Sequence, residues 1–214
     1  MPYRTVLFDL DGTLIDHFKA IHRCHAYTLK QLGLPRPTMA QVRAAVGAGL
    51  EVALARLAGP KRVAEALPLY SAHWDATMLA DVAPMPGARA LLKRLRAADL
   101  ACAVLTNKRG ASSRIVCDHL GLTPYLSGIF GATDTPWLKP DPRFVRRVLE
   151  LLAATPATTC LVGDSTYDFE TAQNAGLGFV GVTTGTHTAA ELRAAGAKIV
   201  CKSLAETGRH LLPG

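Results

Sequence analysis

Val6-Leu7-Phe8-Asp9-Leu10-Asp11-Gly12-Thr13-Leu14 joins an apolar run of strand length to two carboxylates and a glycine. A short run without polar alternation, Val6 to Leu10, suits a strand buried on both faces inside a parallel sheet. With a period of two, Asp9 and Asp11 point to one side if the strand stays extended, and Gly12 lets the chain turn away directly after them. Like charges about 4 Å apart repel by roughly 4 kcal/mol at an effective dielectric of 20, so such a pair calls for a cation or a shared proton. A solvated Asp-Gly turn is the competing reading of the same residues.

Further strand-length apolar runs stand at Ala101 to Leu105, Leu161 to Val162, Phe179 to Val182 and Ile199 to Val200. Helix-period segments separate most of them: Ala88 to Leu100 with Leu91, Leu92 and Leu95 inward, and Arg143 to Leu152 with Phe144, Val148 and Leu151 inward. This alternation predicts an α/β fold, a three-layer Rossmann-like core whose parallel sheet has helices on both faces and its site at the carboxyl ends of the strands. From His17 to Val82 the rhythm breaks into consecutive helix patterns: Phe18 to Leu32, a helix capped by Thr38 and running through Val46, a Gly47-Ala48-Gly49 interruption, Glu51 to Leu57 and Lys61 to Leu79. Pro84, Pro86 and Gly87 mark the return. The expected organisation is a core of residues 1–16 and 83–214 with a helical domain inserted over 17–82.

The chain has 214 residues, 49% of them hydrophobic, which suffices for a sizeable buried core. No run approaches the roughly 18 to 20 apolar residues that span a bilayer, and Met1 to Arg4 lead straight into a strand pattern, so no membrane partner and no signal peptide are expected. Five scattered cysteines without a C-x-x-C pair suggest reduced thiols in a cytoplasm rather than disulfides or zinc. The net charge of +7 is spread over helix-like segments, such as Lys93, Arg94 and Arg96, which argues against nucleic acid and for a mild attraction to small anions. Nothing in the pattern fixes an oligomeric state.

Three more segments carry candidate chemistry. Thr106-Asn107 ends the second strand with a hydroxyl and backbone N–H groups suited to phosphate oxygens; the competing reading is an ordinary turn cap. Leu138-Lys139-Pro140-Asp141-Pro142 sets a lysine in a turn restrained by two prolines. Gly163-Asp164-Ser165-Thr166-Tyr167-Asp168 opens a strand into two carboxylates, or else into a helix cap. Together these segments gather Asp9, Asp11, Asp164 and Asp168 against the single cation Lys139, an arrangement that needs a divalent ion. All-oxygen ligation points to magnesium rather than zinc.

The succession D-x-D-G-T, strand plus Thr-Asn, Lys-Pro and G-D-S-x-x-D resembles the four motifs of the haloacid dehalogenase superfamily. Gly181-Val182-Thr183 and Ala190 to Ala197 are similar to its phosphoglycolate phosphatase-like branch. The resemblance implies that the insertion is a cap over the site, with Arg43 to Leu50 approaching the substrate. It also implies an aspartyl-phosphate formed on Asp9, with Asp11 as acid and then base. Magnesium would be held by the Asp9 carboxylate, the Asp11 carbonyl and Asp164, with Asp168 in support. Lys139 would neutralise the phosphoryl group, Thr106 and Asn107 would donate to phosphate oxygens, and Arg43 would meet a substrate carboxylate. The second aspartate disfavours dehalogenation, and the absence of a lysine from Val46 to Leu50 disfavours phosphonate hydrolysis.

The leading expectation is therefore a magnesium-dependent phosphatase for a small phosphorylated metabolite. A sugar-phosphate mutase, a pyrophosphatase or nucleotidase, and an inactive binding protein on the same fold are the alternatives. The Thr184-Gly185-Thr186-His187 stretch departs from the family pattern and receives no role. His17, His22 and His25 beside Cys24 read as surface or cap-face side chains before they read as a metal site.

Overall fold

The computed structural model describes residues 3–212; residues 1, 2, 213 and 214 of the expected core lie outside them. In chain order the elements are β1 (Thr5–Phe8), β2 (Ile15–Asp16), α1 (Phe18–Gln31), α2 (Met39–Ala45), α3 (Leu50–Ala58), α4 (Val63–Thr77), β3 (Ala83–Pro84), α5 (Ala88–Ala97), β4 (Ala101–Arg109), α6 (Gly110–His119), β5 (Gly128–Ala132), α7 (Pro142–Leu151), β6 (Thr159–Gly163), α8 (Thr166–Ala175), β7 (Gly178–Val182), α9 (Ala189–Ala194), β8 (Val200–Cys201) and α10 (Leu204–Leu211). Six strands form one parallel sheet in the order β5-β4-β1-β6-β7-β8, with β1 between β4 and β6.

The period of two divides the core. Val6 and Phe8 of β1, Cys102 and Val104 of β4, and Cys160 and Val162 of β6 pack on one face with α5, α6 and α10. The intervening Leu7, Ala103, Leu105 and Leu161 pack on the other with α7 and α8. The helix–sheet–helix sandwich follows directly from this alternation of fully apolar strands. All five cysteines are buried thiols.

Phe144 and Val148 of α7 face this core, but Leu151, expected beside them, is 55% exposed, and Val145 and Leu149 are buried instead. The apolar stripe follows the i, i+1, i+4, i+5 positions, which turns Leu151 to water. Phe144→Ala should therefore cost about 3–5 kcal/mol, and Leu151→Ala should stay within about 0.5 kcal/mol, in urea unfolding. Comparable losses would contradict the placement of α7.

One strand of the six-stranded sheet was not expected from the sequence. β5, Gly-Ile-Phe-Gly-Ala, is a sheet edge with two glycines and mostly half-buried side chains, so it lacks the branched apolar run that marked the others.

Helices α1 to α4 stand between β2 and β3, which pair antiparallel through Ile15 with Pro84 and Asp16 with Ala83. That two-stranded stem lets the chain leave and re-enter at neighbouring points. Thr38 caps α2 with a reciprocal Gln41 contact, and Gly47 and Gly49, both at positive φ, bend the chain into α3.

Candidate active site

Asp9 follows β1 directly, its backbone N–H donating to the Val162 carbonyl at 2.9 Å. The chain then folds back on itself, the Leu10 carbonyl accepting from Thr13, Leu14 and Ile15, while Leu10 and Leu14 are buried beneath the loop. Thr106 continues β4, Lys139 precedes α7, and Asp164 and Asp168 flank the start of α8. Asp9, Asp11, Thr106, Asn107, Lys139 and Asp164 all line one cavity of about 110 Å³.

Lys139 joins the carboxylates. Its Nζ donates to Asp9 Oδ1 at 2.7 Å and to Asp168 Oδ1 at 2.6 Å, and its side chain is almost completely buried. Burial works to lower its affinity for a proton, but Asp168 and Asp9 outweigh this and hold the ammonium above the usual lysine range. Asp168 Oδ2 accepts from Ser165 N and Oγ in the capping box that starts α8, so the helix-cap reading of this segment holds while the other carboxylate oxygen pairs with Lys139. No donor among the described residues reaches Asp9 Oδ2.

Asp9, Asp164 and Asp168 offer oxygens within 4.8 Å of one another, a buried, all-oxygen set that fits a divalent cation. Burial, opposed by Lys139 but reinforced by Asp168, pushes Asp9 up to about 6. Burial, Asp9 and Asp168 push Asp164 up to about 7, against the opposing Thr186 hydrogen bonds. The crowding is what a cation would relieve.

The unassigned Thr184 to His187 stretch supports that set. Thr186 donates from its backbone N and Oγ1 to Asp164 Oδ2 at 2.7 and 2.9 Å, Thr13 Oγ1 donates to Asp164 Oδ1 at 3.2 Å, and Thr184 Oγ1 donates to the Gly12 carbonyl at 2.6 Å. Gly12, at φ +89°, and Gly185 meet closely; a Cβ on Gly185 would run into the Asp164 carboxylate. The sequence signal was the pair of small residues needed to pass two loops at one carboxylate.

Lys108 was missed altogether. Its Nζ donates to Asp11 Oδ1 and Oδ2 at 3.1 and 2.9 Å and lies 4.2 Å above the Trp74 ring of α4. The expected strand ended in Thr106-Asn107, whereas β4 runs to Arg109, and alternation from Thr106 was the available signal for Lys108. The site therefore brings two lysines, not one, against the four carboxylates. Burial opposes ionisation of Asp11, but Lys108 and His17 prevail and hold it well below the usual carboxylate range.

His17 is buried, its Nε2 donating to the Met78 carbonyl at 2.6 Å, and its Nδ1 lies 3.4 Å from Asp11 Oδ1, where it favours the Asp11 carboxylate when Nδ1 carries a proton as well. His22 pairs with the Pro37 carbonyl, and buried His25 lies against Tyr70, so the three histidines do not converge on a metal.

Two expected phosphate or substrate contacts are committed elsewhere. Asn107 donates through Nδ2 to the carbonyls of Gly47 and Lys139, both at 3.0 Å, and its Oδ1 accepts from Lys139 N at 2.8 Å, which leaves its backbone rather than its amide for phosphate. Arg43 donates to the Gly185 carbonyl at 2.9 Å and stacks 3.9 Å from Phe18; it is not on the cavity wall, so the expected contact with a substrate carboxylate is not made from there.

A family profile described as haloacid dehalogenase-like hydrolase matches residues 6–182, spanning all the site segments up to β7. The chain belongs to this family. Among haloacid dehalogenase-like proteins it is 33% identical to a "Probable phosphatase IndB" of Dickeya dadantii, over 94% of this chain and 90% of that one. It is 32% identical to a phosphoglycolate phosphatase of Aquifex aeolicus, over 81% of each. The fold matches the crystal structure of a predicted phosphatase from Clostridium acetobutylicum with a TM-score of 0.91, 26% identity and 99% coverage of both chains. No helix among the described residues is long and apolar enough to cross a membrane.

Proposed function

We propose that this haloacid dehalogenase-like protein is a magnesium-dependent phosphatase that hydrolyses a small, phosphoglycolate-like monoester through an aspartyl-phosphate on Asp9. The observation that carries the reading is the placement of Lys139 Nζ on Asp9 Oδ1 while no donor among the described residues reaches Oδ2, in a cavity shared with a second aspartate, Asp11. Phosphatase names among the relatives support it.

Asp9 Oδ2 attacks phosphorus in line, splitting one hard hydrolysis into two displacements. Lys139 and the Thr106 hydroxyl stabilise charge on the phosphoryl oxygens, and Asp11 protonates the leaving oxygen. The phosphate's own negative charge favours the acid form of Asp11 in this step; Lys108 and His17 favour the carboxylate that then accepts a proton from water. Asp9, Asp164 and the Asp11 carbonyl would hold magnesium, with Asp168 orienting Lys139 beside them; bound, the metal would supply charge neutralisation at the phosphate. Residues 17–82 act as a cap, and Asn107–Gly47, Arg43–Gly185, Arg56–Tyr167 and Arg109–Asp75 are among its contacts with the core.

Phosphate release from small monoesters should stop on chelation, return with magnesium and return poorly with calcium, whose looser shell misplaces the nucleophile. Full activity after exhaustive chelation would contradict the site. Metal binding is also readable without turnover. Asp9 and Asp164 have folded-state pKa values raised to about 6 and 7, so the metal-free fold binds extra protons above the unfolded carboxylate range and loses that stabilisation as pH rises through 6 to 7. Magnesium replaces those protons, so its increase in Tm should be larger at pH 8 than at pH 5.5. An equal increase at both pH values would remove these two carboxylates from the metal site.

A further inference from the structure

We infer that Lys108 determines substrate choice by receiving a carboxylate carried by the leaving group, which makes the preferred substrates compact phosphate esters of 2-hydroxy acids. This rests on the phosphatase reading and adds to it the residue that selects the substrate.

The position of Lys108 carries the argument. Its Nζ is held 2.9 Å from Asp11 Oδ2, the group that serves the leaving oxygen, and 4.2 Å from the Trp74 ring of the insertion. A leaving oxygen hydrogen-bonded to Asp11 at about 2.7 Å brings a carboxylate one carbon further on within reach of Nζ. An ammonium has three donors, and among the described residues the hydrogen bonds of Nζ all go to one carboxylate. The Trp74 face fixes the charge without consuming a donor.

Among the described residues the wall offers no competing unpaired cation for a substrate carboxylate. Arg109, the cation on the cavity wall besides Lys108 and Lys139, is paired with Asp75 of α4, and Arg43 is held by Gly185. The remaining wall toward the insertion is largely Ile21, Val46, Leu50, Ala53, Tyr70 and Trp74. His25, also on this wall, is lowered to about 4 by burial and then by His22, so it is neutral at pH 7. A polyhydroxylated sugar would leave its hydroxyls unpaired against such a surface, whereas a short acid places its one charge at Lys108.

The test compares phosphoglycolate with 2-hydroxyethyl phosphate, which has similar size but lacks the carboxylate, and with phenyl phosphate, using magnesium-loaded full-length protein. The native chain should favour phosphoglycolate over 2-hydroxyethyl phosphate by about 30- to 100-fold in kcat/KM. Lys108→Met should shrink that ratio to below about threefold, chiefly through a raised KM for phosphoglycolate, and Lys108→Arg should restore part of it. Glycolate should also inhibit the native protein competitively where ethylene glycol does not, a measurement that needs no variant. Equal losses on all three esters in Lys108→Met, or no preference in the native chain, would overturn the role of Lys108 alone. No phosphate from any ester would overturn the phosphatase reading and this inference with it.

Discussion

Asp9→Asn should abolish phosphate release and leave the fold intact. The amide has the carboxylate's shape but is not a comparable nucleophile, and loss of a covalent route cannot be offset by the remaining groups, since these only orient and neutralise. The replacement also removes a buried charge from a cluster in which Asp9 is already pushed up to about 6, so the metal-free variant should be no less stable than the native chain above that pH. Lys139 keeps Asp168 as its partner at 2.6 Å, which limits the rearrangement. Circular dichroism and thermal unfolding, read beside turnover, separate lost chemistry from lost structure. A near-native rate in Asp9→Asn would remove Asp9 from its role.

Asp11→Asn should lower kcat by roughly 100- to 10,000-fold, and its dependence on the leaving group is more informative than its size. Alkyl esters depart as strongly basic alkoxides and need a proton; activated aryl esters do not. The variant should therefore lose far more on alkyl phosphates than on p-nitrophenyl phosphate. Equal losses would mean that Asp11 positions Lys108 and the loop and is not the proton donor.

Much of this site was legible because its residues sit where apolar strands end, and strand ends are what short apolar runs reveal. That logic put Asp9, Thr106 and Asp164 at strand ends as candidates, each with a competing turn or cap reading, and set Lys139 in a turn with two prolines; the roles of all four came from the family resemblance. What escaped depends on contacts between segments distant in sequence. Lys108 lay one residue beyond the expected strand end, and nothing local signals that Asp11 and Trp74 would enclose its ammonium. Thr186 carries no motif, and its value comes only from reaching Asp164 across a loop crossing. Arg43 was placed by proximity to the glycine bend, but the sequence does not encode its rotamer, and the guanidinium found a carbonyl and an aromatic face outside the cavity. The fold divides in the same way. Buried strands β1, β4, β6 and β7 announced themselves by composition, whereas the glycine-containing edge β5 and the two-residue pair β2 and β3 owe their existence to neighbours.

The central claim is that phosphate passes through Asp9. It is tested most directly by acid-quenching the magnesium-loaded protein during turnover, reducing the trapped acyl phosphate with borohydride and mapping the modified residue by peptide mass spectrometry. The account predicts modification at Asp9, present with substrate and absent without it. Steady phosphate release with an unmodified Asp9 peptide, or with the modification at another carboxylate, would contradict it.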